Sequence, residues 1–296
     1  MRVLVTGGSG FVGRYVVREL LARGHDVRCL VRPGSERKLG PWEGVGVCAG
    51  DVLHPEEVAR AALGCEAAVH LVGIIREFPG RGVTFEKVHV QATENVVAAA
   101  KDAGAKRFLQ MSALGARPAP ADPYHLTNFR ADEAVQQSGI PYTIFRPSII
   151  YGPEDQSINL FAKQIKTLRM VPIVGNGLYR MQPVPVETVA KAFALALELP
   201  HTENRVYDVG GPEPLTFNEI IDSLALVLGR RVLKAHIMPW SLRLLAGMFG
   251  RFPWFPLTTG QIRMLLEGNT CDPMDFYRDF GLDAVAFREG LELYLR

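Results

Sequence analysis

The opening thirteen residues constrain this chain more than any other stretch. An apolar run at positions 3–6, Val3-Leu4-Val5-Thr6, enters Gly7-Gly8-Ser9-Gly10-Phe11-Val12-Gly13. Beyond it Val12, Val16, Val17, Leu20 and Leu21 recur at helical spacing up to Gly24, which reads as a strand passing through a glycine turn directly into a helix. Each glycine has a separate task there: Gly7 permits the tight turn, Gly10 lets backbone approach a diphosphate, and Gly13 allows close helix–strand packing. The first helical turn, beginning at Phe11 and Val12, presents unpaired N–H groups and the positive end of the helix dipole to an anion. A plain glycine-rich turn explains one such residue, whereas three at this spacing in the first strand–helix junction point to a nucleotide diphosphate.

Further apolar runs at 27–31, 45–48, 67–72, 108–111 and 142–145 alternate with helical patterns. This rhythm predicts an α/β fold, a Rossmann-type doubly wound parallel sheet with right-handed crossovers and helices on both faces. Asp122 is the expected N-cap of a helix with Pro123 in its first turn and its end near Gly139. After position 151 the rhythm breaks into prolines, irregular apolar stretches and isolated helices at 186–199 and 218–228. The division read from this is a nucleotide-binding domain over 1–152, rejoined by 183–210, and a smaller C-terminal substrate-binding or cap domain over 153–296. A chain of 296 residues can bury cores for both, and its net charge of +2 gives no electrostatic reason to expect nucleic acid. Cys29, Cys48, Cys65 and Cys271 are too scattered for a metal site and are expected to be reduced. The start offers no leader pattern, so the expected location is cytoplasmic, with peripheral attachment to the inner membrane left open.

The Gly-x-x-Gly-x-x-Gly spacing resembles that of the short-chain dehydrogenase/reductase superfamily. Gly50-Asp51-Val52, His70-Leu71-Val72-Gly73 and Arg146-Pro147-Ser148-Ile149-Ile150-Tyr151-Gly152-Pro153 match its later landmarks, as do Gln182-Pro183-Val184-Pro185-Val186 and Tyr207-Asp208-Val209-Gly210-Gly211-Pro212. The resemblance implies that Asp51 and Val52 lie by the adenine, Leu71, Val72 and Gly73 by the ribose, and Pro147, Ser148 and Ile149 by the nicotinamide. Within the superfamily the chain is most similar to the atypical branch that holds the NAD(P)H-binding accessory subunit of respiratory complex I and bacterial NAD-dependent epimerase/dehydratase-like relatives.

An acidic residue after the second strand would hold an adenine ribose and repel a 2′-phosphate. Arg32 stands there instead, followed by Ser35, Arg37 and Lys38, a set suited to a phosphate dianion, so NADP(H) is expected over NAD(H). The resemblance further implies a catalytic tyrosine with a lysine one helical turn later and a serine after the fifth strand. Tyr124 and Ser112 match two of these positions, but the third is Asn128, which brings no charge to lower the tyrosine pKa. His125 and Arg130 are possible helpers, while His70 and His89 are read as structural histidines. Two functions therefore stay open: an NADP(H)-dependent oxidoreductase or epimerase-like enzyme acting on a small molecule, or an NAD(P)H-binding sensor, scaffold or respiratory-complex-associated protein without turnover. The apolar stretch 237–256, interrupted by prolines and arginines, is read as cap-domain core, pocket lining for an apolar substrate, or a surface for a membrane or protein partner.

Overall fold

The computed structural model describes residues 1–40, 43–120, 122–242, 244 and 258–295. Its main sheet is built from β1 (Arg2–Thr6), β2 (Asp26–Val31), β3 (Val45–Ala49), β4 (Ala67–His70), β5 (Arg107–Met111) and β6 (Tyr142–Pro147), with the strand Arg205–Val209 beside β6. The order across the sheet is β3-β2-β1-β4-β5-β6 and then 205–209, and the pairings among the first six strands are parallel. Val3, Leu4 and Val5 are fully buried, as a strand covered on both faces requires. The strand order reverses on either side of β1. That reversal opens a crevice beyond the carboxyl ends of β1 and β4, where ligands bind in folds of this kind.

Helices α1 (Phe11–Ala22), α2 (Pro55–Ala62), α3 (Ala92–Asp102) and α4 (Pro123–Gln136) supply the crossovers. A π-helical turn, Glu86–Gln91, runs straight into α3. Asp122 caps α4 as its sequence implies, accepting from the His125 N–H at 3.0 Å. The apolar run expected at 67–72 stops pairing as a strand at His70, although the Leu71 N–H still donates to the Thr6 carbonyl at 3.0 Å.

The chain divides into two units. The first comprises residues 1–147, 186–208 and 274–282; the second comprises 148–185, 209–273 and 283–296. The crossing falls after Pro147, earlier than the expected 152, because Ile150–Tyr151 pairs with Val184–Pro185 inside the second unit. The helix Val186–Ala196 and the strand Arg205–Val209 return to the first unit within the expected 183–210 segment. The segment 274–282, expected in the C-terminal domain, also returns to the first unit, where Phe276 and Phe280 close over Phe145 with centroid separations of 6.4 and 5.5 Å. The second unit has its own core of Tyr151, Ile158, Ile165, Ile173, Phe217, Ile221, Leu224 and Phe287. Its parallel pair Met170–Val174 and Leu233–Ile237 lies against the helices Ile158–Leu168 and Phe217–Val227. Of the apolar stretch 237–256, only 237–242 and 244 are described; Met238, Trp240 and Leu244 are exposed there, and the remainder lies outside the described residues. Among the described residues no helix is long and apolar enough to cross a membrane.

Candidate cofactor-binding and catalytic site

The glycine loop forms a backbone cradle. Gly7 has φ +80°, and a Cβ there would lie 2.9 Å from the Leu71 carbonyl carbon, so the loop after β1 and the loop after β4 touch through bare backbone. A Cβ on Gly13 would collide with the Gly7 carbonyl oxygen and come within 2.7 Å of Gly8 Cα. The demand at Gly13 is thus for helix-to-loop packing rather than the helix–strand packing that sequence reasoning assigned. Gly10 caps α1 without a side-chain bond. A Cβ at Gly10 would meet only the Gly7 oxygen, 3.1 Å away. The N–H groups of Phe11, Val12 and Gly13 have no partner among the described residues. Three unpaired donors at a helix N-terminus fit a diphosphate.

Arg32 follows directly on β2 and is exposed, and a turn closed by Ser35 N–H to the Arg32 carbonyl at 2.9 Å leads into Arg37 and Lys38. No ion pair among the described residues engages these three cations. After β3, Asp51 accepts from the Leu53 N–H at 3.0 Å, and the Val52 carbonyl accepts from Asn95 at 2.9 Å, which fixes the loop that the resemblance places by the adenine. Leu71 and Val72 are half-buried beside Gly7, and Gly73 is exposed next to the His89 ring. Pro147 accepts from the Leu114 N–H at 3.0 Å. Ser148 belongs to the second unit, where its hydroxyl donates to the Asn269 carbonyl at 3.0 Å and accepts from the Gln182 N–H at 3.2 Å. That hydroxyl is committed within its own unit, and Ile149 beside it packs on the second core.

Tyr124 sits in the first turn of α4 with its ring edge-on to Phe85, His89 and His125, at centroid distances of 5.7, 5.5 and 5.2 Å. Its hydroxyl makes no hydrogen bond to a described residue. Burial pushes this phenol up to about 12, and the Asp122 carboxylate adds to the shift. Asn128 is buried one turn on, with its amide nitrogen donating to the Tyr124 carbonyl at 2.9 Å and lying 3.4 Å from His89 Nδ1. Only the amide oxygen is left to accept from a sugar hydroxyl, and among the described residues no cation offsets the rise of the phenol's pKa.

His89, set aside on sequence, is the hub of this corner. Its Nδ1 lies 2.9 Å from Thr127 Oγ1, and its Nε2 lies 3.0 Å from the Ile74 carbonyl and 3.2 Å from the Ile74 N–H. Either neutral tautomer is therefore satisfied on both sides. Burial holds the imidazole down to about 4, against the raising effect of the Ile74 bond. The ring pins the loop after β4 to α4 and stacks on Phe85 at 5.3 Å. His70 is more deeply buried, bonded through Nδ1 to the Thr6 hydroxyl and pushed down to about 3 by burial.

Ser112 faces a different group. Its hydroxyl donates to Asp132 Oδ2 at 3.0 Å, and the same oxygen takes Arg146 Nε and Nη2 at 2.9 Å each. Asp132 is fully buried, and desolvation pushes its carboxyl up to about 6 despite Arg146 and Ser112. The Ser112 hydroxyl thus ties the end of β5 to a buried carboxylate of α4. Nothing local in the sequence marks Asp132 and Arg146 as partners, since they come from separate elements.

A parallel sheet with an amide cradle at its point of reversal and a tyrosine on the fourth helix defines a nicotinamide-nucleotide-binding protein of the short-chain dehydrogenase/reductase type. The chain belongs to the NAD dependent epimerase/dehydratase family, whose model matches residues 3–210. It is 29% identical over 226 residues to the mitochondrial NADH dehydrogenase [ubiquinone] 1 alpha subcomplex subunit 9 of Arabidopsis thaliana, covering 74% of this chain and 56% of that relative's length. It is 28% identical to the 2-alkyl-3-oxoalkanoate reductase of Stenotrophomonas maltophilia, covering 98% of this chain and 97% of the relative. In fold it is similar to the Thermus thermophilus UDP-glucose 4-epimerase crystallised with NAD, with a TM-score of 0.79, 23% identity and coverage of 100% of this chain and 98% of that one.

Proposed function

We propose that the chain is an NADP(H)-preferring carbonyl reductase of this family. The observation that carries the direction of reaction is the environment of Tyr124. Oxidation of an alcohol, and the first half of an epimerisation, need a base to take the hydroxyl proton. Tyr124 is held protonated by burial, and the position one turn on is the neutral Asn128, which brings no charge to favour the phenolate. Reduction needs only a proton donor. The N–H groups of Phe11, Val12 and Gly13 would hold the diphosphate of a reduced nicotinamide coenzyme, whose chemistry there would be hydride donation. Tyr124 donates its phenolic proton to the carbonyl oxygen as negative charge develops there, and the Phe85, His89 and His125 rings, packed edge-on around it, hold its own ring in position. Preference for the phosphorylated coenzyme rests on Arg32, Arg37 and Lys38, whose charges are unspent on neighbouring carboxylates among the described residues.

A second reading, binding without turnover, draws on the same Asn128 and on the similarity to a respiratory-complex subunit. One set of measurements separates them. Titration of nicotinamide fluorescence is expected to show NADPH binding at least tenfold more tightly than NADH, with Arg32→Asp reversing the order. NADPH oxidation by a panel of 3-oxo acids and hydrophobic ketones is expected to fall about a hundredfold in Tyr124→Phe with coenzyme affinity unchanged. Tight coenzyme binding with no oxidation of NADPH by any ketone would favour the second reading, and tighter NADH binding would overturn the coenzyme preference.

A further inference from the structure

We propose that the second unit docks on a membrane surface bearing anionic lipid headgroups, through a basic face built where the helix Ile158–Leu168 ends and the strands Met170–Val174 and Leu233–Ile237 begin. The near-zero net charge of the chain conceals a strong segregation. Residues 156–186 contain Lys163, Lys166, Arg169 and Arg180 and no carboxylate; residues 223–266 contain Arg230, Arg231, Lys234, Arg243, Arg251 and Arg263 and again none. The rest of the chain carries 23 cations and all 31 carboxylates.

The fold brings these two stretches together. Leu233 pairs with Met170 in parallel register, and the Leu233 N–H donates to the Arg169 carbonyl at 2.8 Å. Arg230 and Arg231 leave the helix Phe217–Val227 just before that strand, so Arg169, Arg230 and Arg231 gather at one end of the strand pair, with Lys166 a turn back along its helix. All four are exposed, and no ion pair among the described residues engages them. Of the two carboxylates on the neighbouring helix, Asp222 is occupied by Lys234 at 2.8 Å and Glu219 accepts from the Thr216 N–H at 2.7 Å.

Apolar side chains stand between these cations. Leu168 and Leu233 are each 65% exposed and Met170 is 40% exposed. Branched and thioether side chains flanked by long cationic stems match the boundary between headgroups and acyl chains, where the hydrocarbon enters and the charges stay with lipid phosphates. A nucleic acid backbone would use the cations and leave the two leucines in water. An acidic protein surface would satisfy the cations with no call for exposed aliphatic side chains among them.

Flotation of the full chain with vesicles tests this. Phosphatidylcholine vesicles containing about one third phosphatidylglycerol are expected to carry the protein up the gradient, and phosphatidylcholine alone to leave it at the bottom. Raising salt from about 0.1 M to about 1 M shrinks the screening length from ~10 Å to ~3 Å and is expected to release most of the bound protein. Arg230→Glu with Arg231→Glu should weaken binding about tenfold or more, and Leu168→Ser with Leu233→Ser should weaken it several-fold at low salt. Both variants should keep the thermal midpoint and NADPH affinity of the parent. If the arginine pair proves destabilising, Lys166→Glu with Arg169→Glu puts the same question to the other segment. The proposal fails if both vesicle types bind equally or neither binds, or if charge reversal leaves flotation unchanged. It fails equally if the variants abolish self-association or duplex DNA binding while vesicle binding persists.

Discussion

Gly13 is the least forgiving single residue in the cradle. A methyl group there meets the Gly7 carbonyl and the Gly8 Cα, both backbone, so no side-chain rotation relieves it. Overpacking of this kind costs roughly 1–3 kcal/mol, and the loop can relax only by displacing the N–H groups that form the cradle. Gly13→Ala is therefore expected to lower the thermal midpoint and also to weaken NADPH binding more than tenfold. Gly24→Ala is the control: its φ of +76° makes alanine unfavourable, but a Cβ there meets nothing within 4 Å. It should cost about 1–2 kcal/mol of stability and leave coenzyme affinity intact. Equal losses of affinity in the two variants would show that the cradle is not the binding element. The role of the glycines was legible because their spacing is local. His89 was not, because its partners Ile74 and Thr127 lie 15 and 38 residues away and a histidine in an apolar helical run looks the same whether or not it joins two loops. His89→Phe keeps the ring and removes both bonds; it is expected to loosen the loop after β4, raising its amide exchange and lowering the rate of ketone reduction more than NADPH affinity.

Among the elements, α4 shows what periodicity reveals and what it hides. Its start was readable from Asp122-Pro123, and its buried face was not, since Asp132 would ordinarily be placed on the wet side of a helix. The carboxyl of Asp132 is raised to about 6, above its unfolded value near 3.8, so the folded chain holds a proton there that the unfolded chain has lost. Its contribution to stability is full below the unfolded pKa and is lost as pH rises through about 6. His70 and His89 work in the opposite direction. Their folded pKa values are depressed to about 3 and about 4, so the stability they confer grows as pH rises toward 6.5. Between about pH 4 and 6 these two histidines add stability as pH rises, and Asp132 opposes them. Asp132→Asn should therefore steepen the gain in stability over that window, by up to about 1.4 kcal/mol per pH unit for one proton. Urea midpoints measured across the range provide the check; parallel curves for parent and variant would mean that Asp132 ionises normally in the folded chain.

At the scale of the whole molecule, the first six strands of the sheet followed from apolar runs, but the membership of its outer layer did not. An amphipathic helix reads the same whichever sheet it covers, so nothing in Met274–Phe280 says that it returns to the first unit. The edge at β6 depends on such returning segments. Phe145 is fully buried, with Phe193 of the helix Val186–Ala196 at a centroid distance of 4.4 Å. Arg107, also buried, sends Nε to the Ala196 carbonyl at 3.0 Å and Nη2 to the Thr202 hydroxyl at 2.7 Å. Burial already depresses its pKa, and it tolerates that environment because its donors are satisfied. A fragment ending at 152 would strip the aromatic cover from Phe145, remove two acceptors from the guanidinium, and uncover the face of α1 against which the helix Val186–Ala196 packs. Such a fragment is expected to lack cooperative unfolding and to bind NADPH poorly despite carrying the entire glycine loop. Joining 1–147 to 186–208 and 274–282 through short flexible linkers should restore both properties, because it restores those partners without adding any part of the second unit. Calorimetry on the two polypeptides distinguishes the cases. A sharp transition in the short fragment, shifted upward by NADPH, would mean that the cradle needs neither the returning helix nor the seventh strand, and that the buried Arg107 finds other acceptors when they are gone.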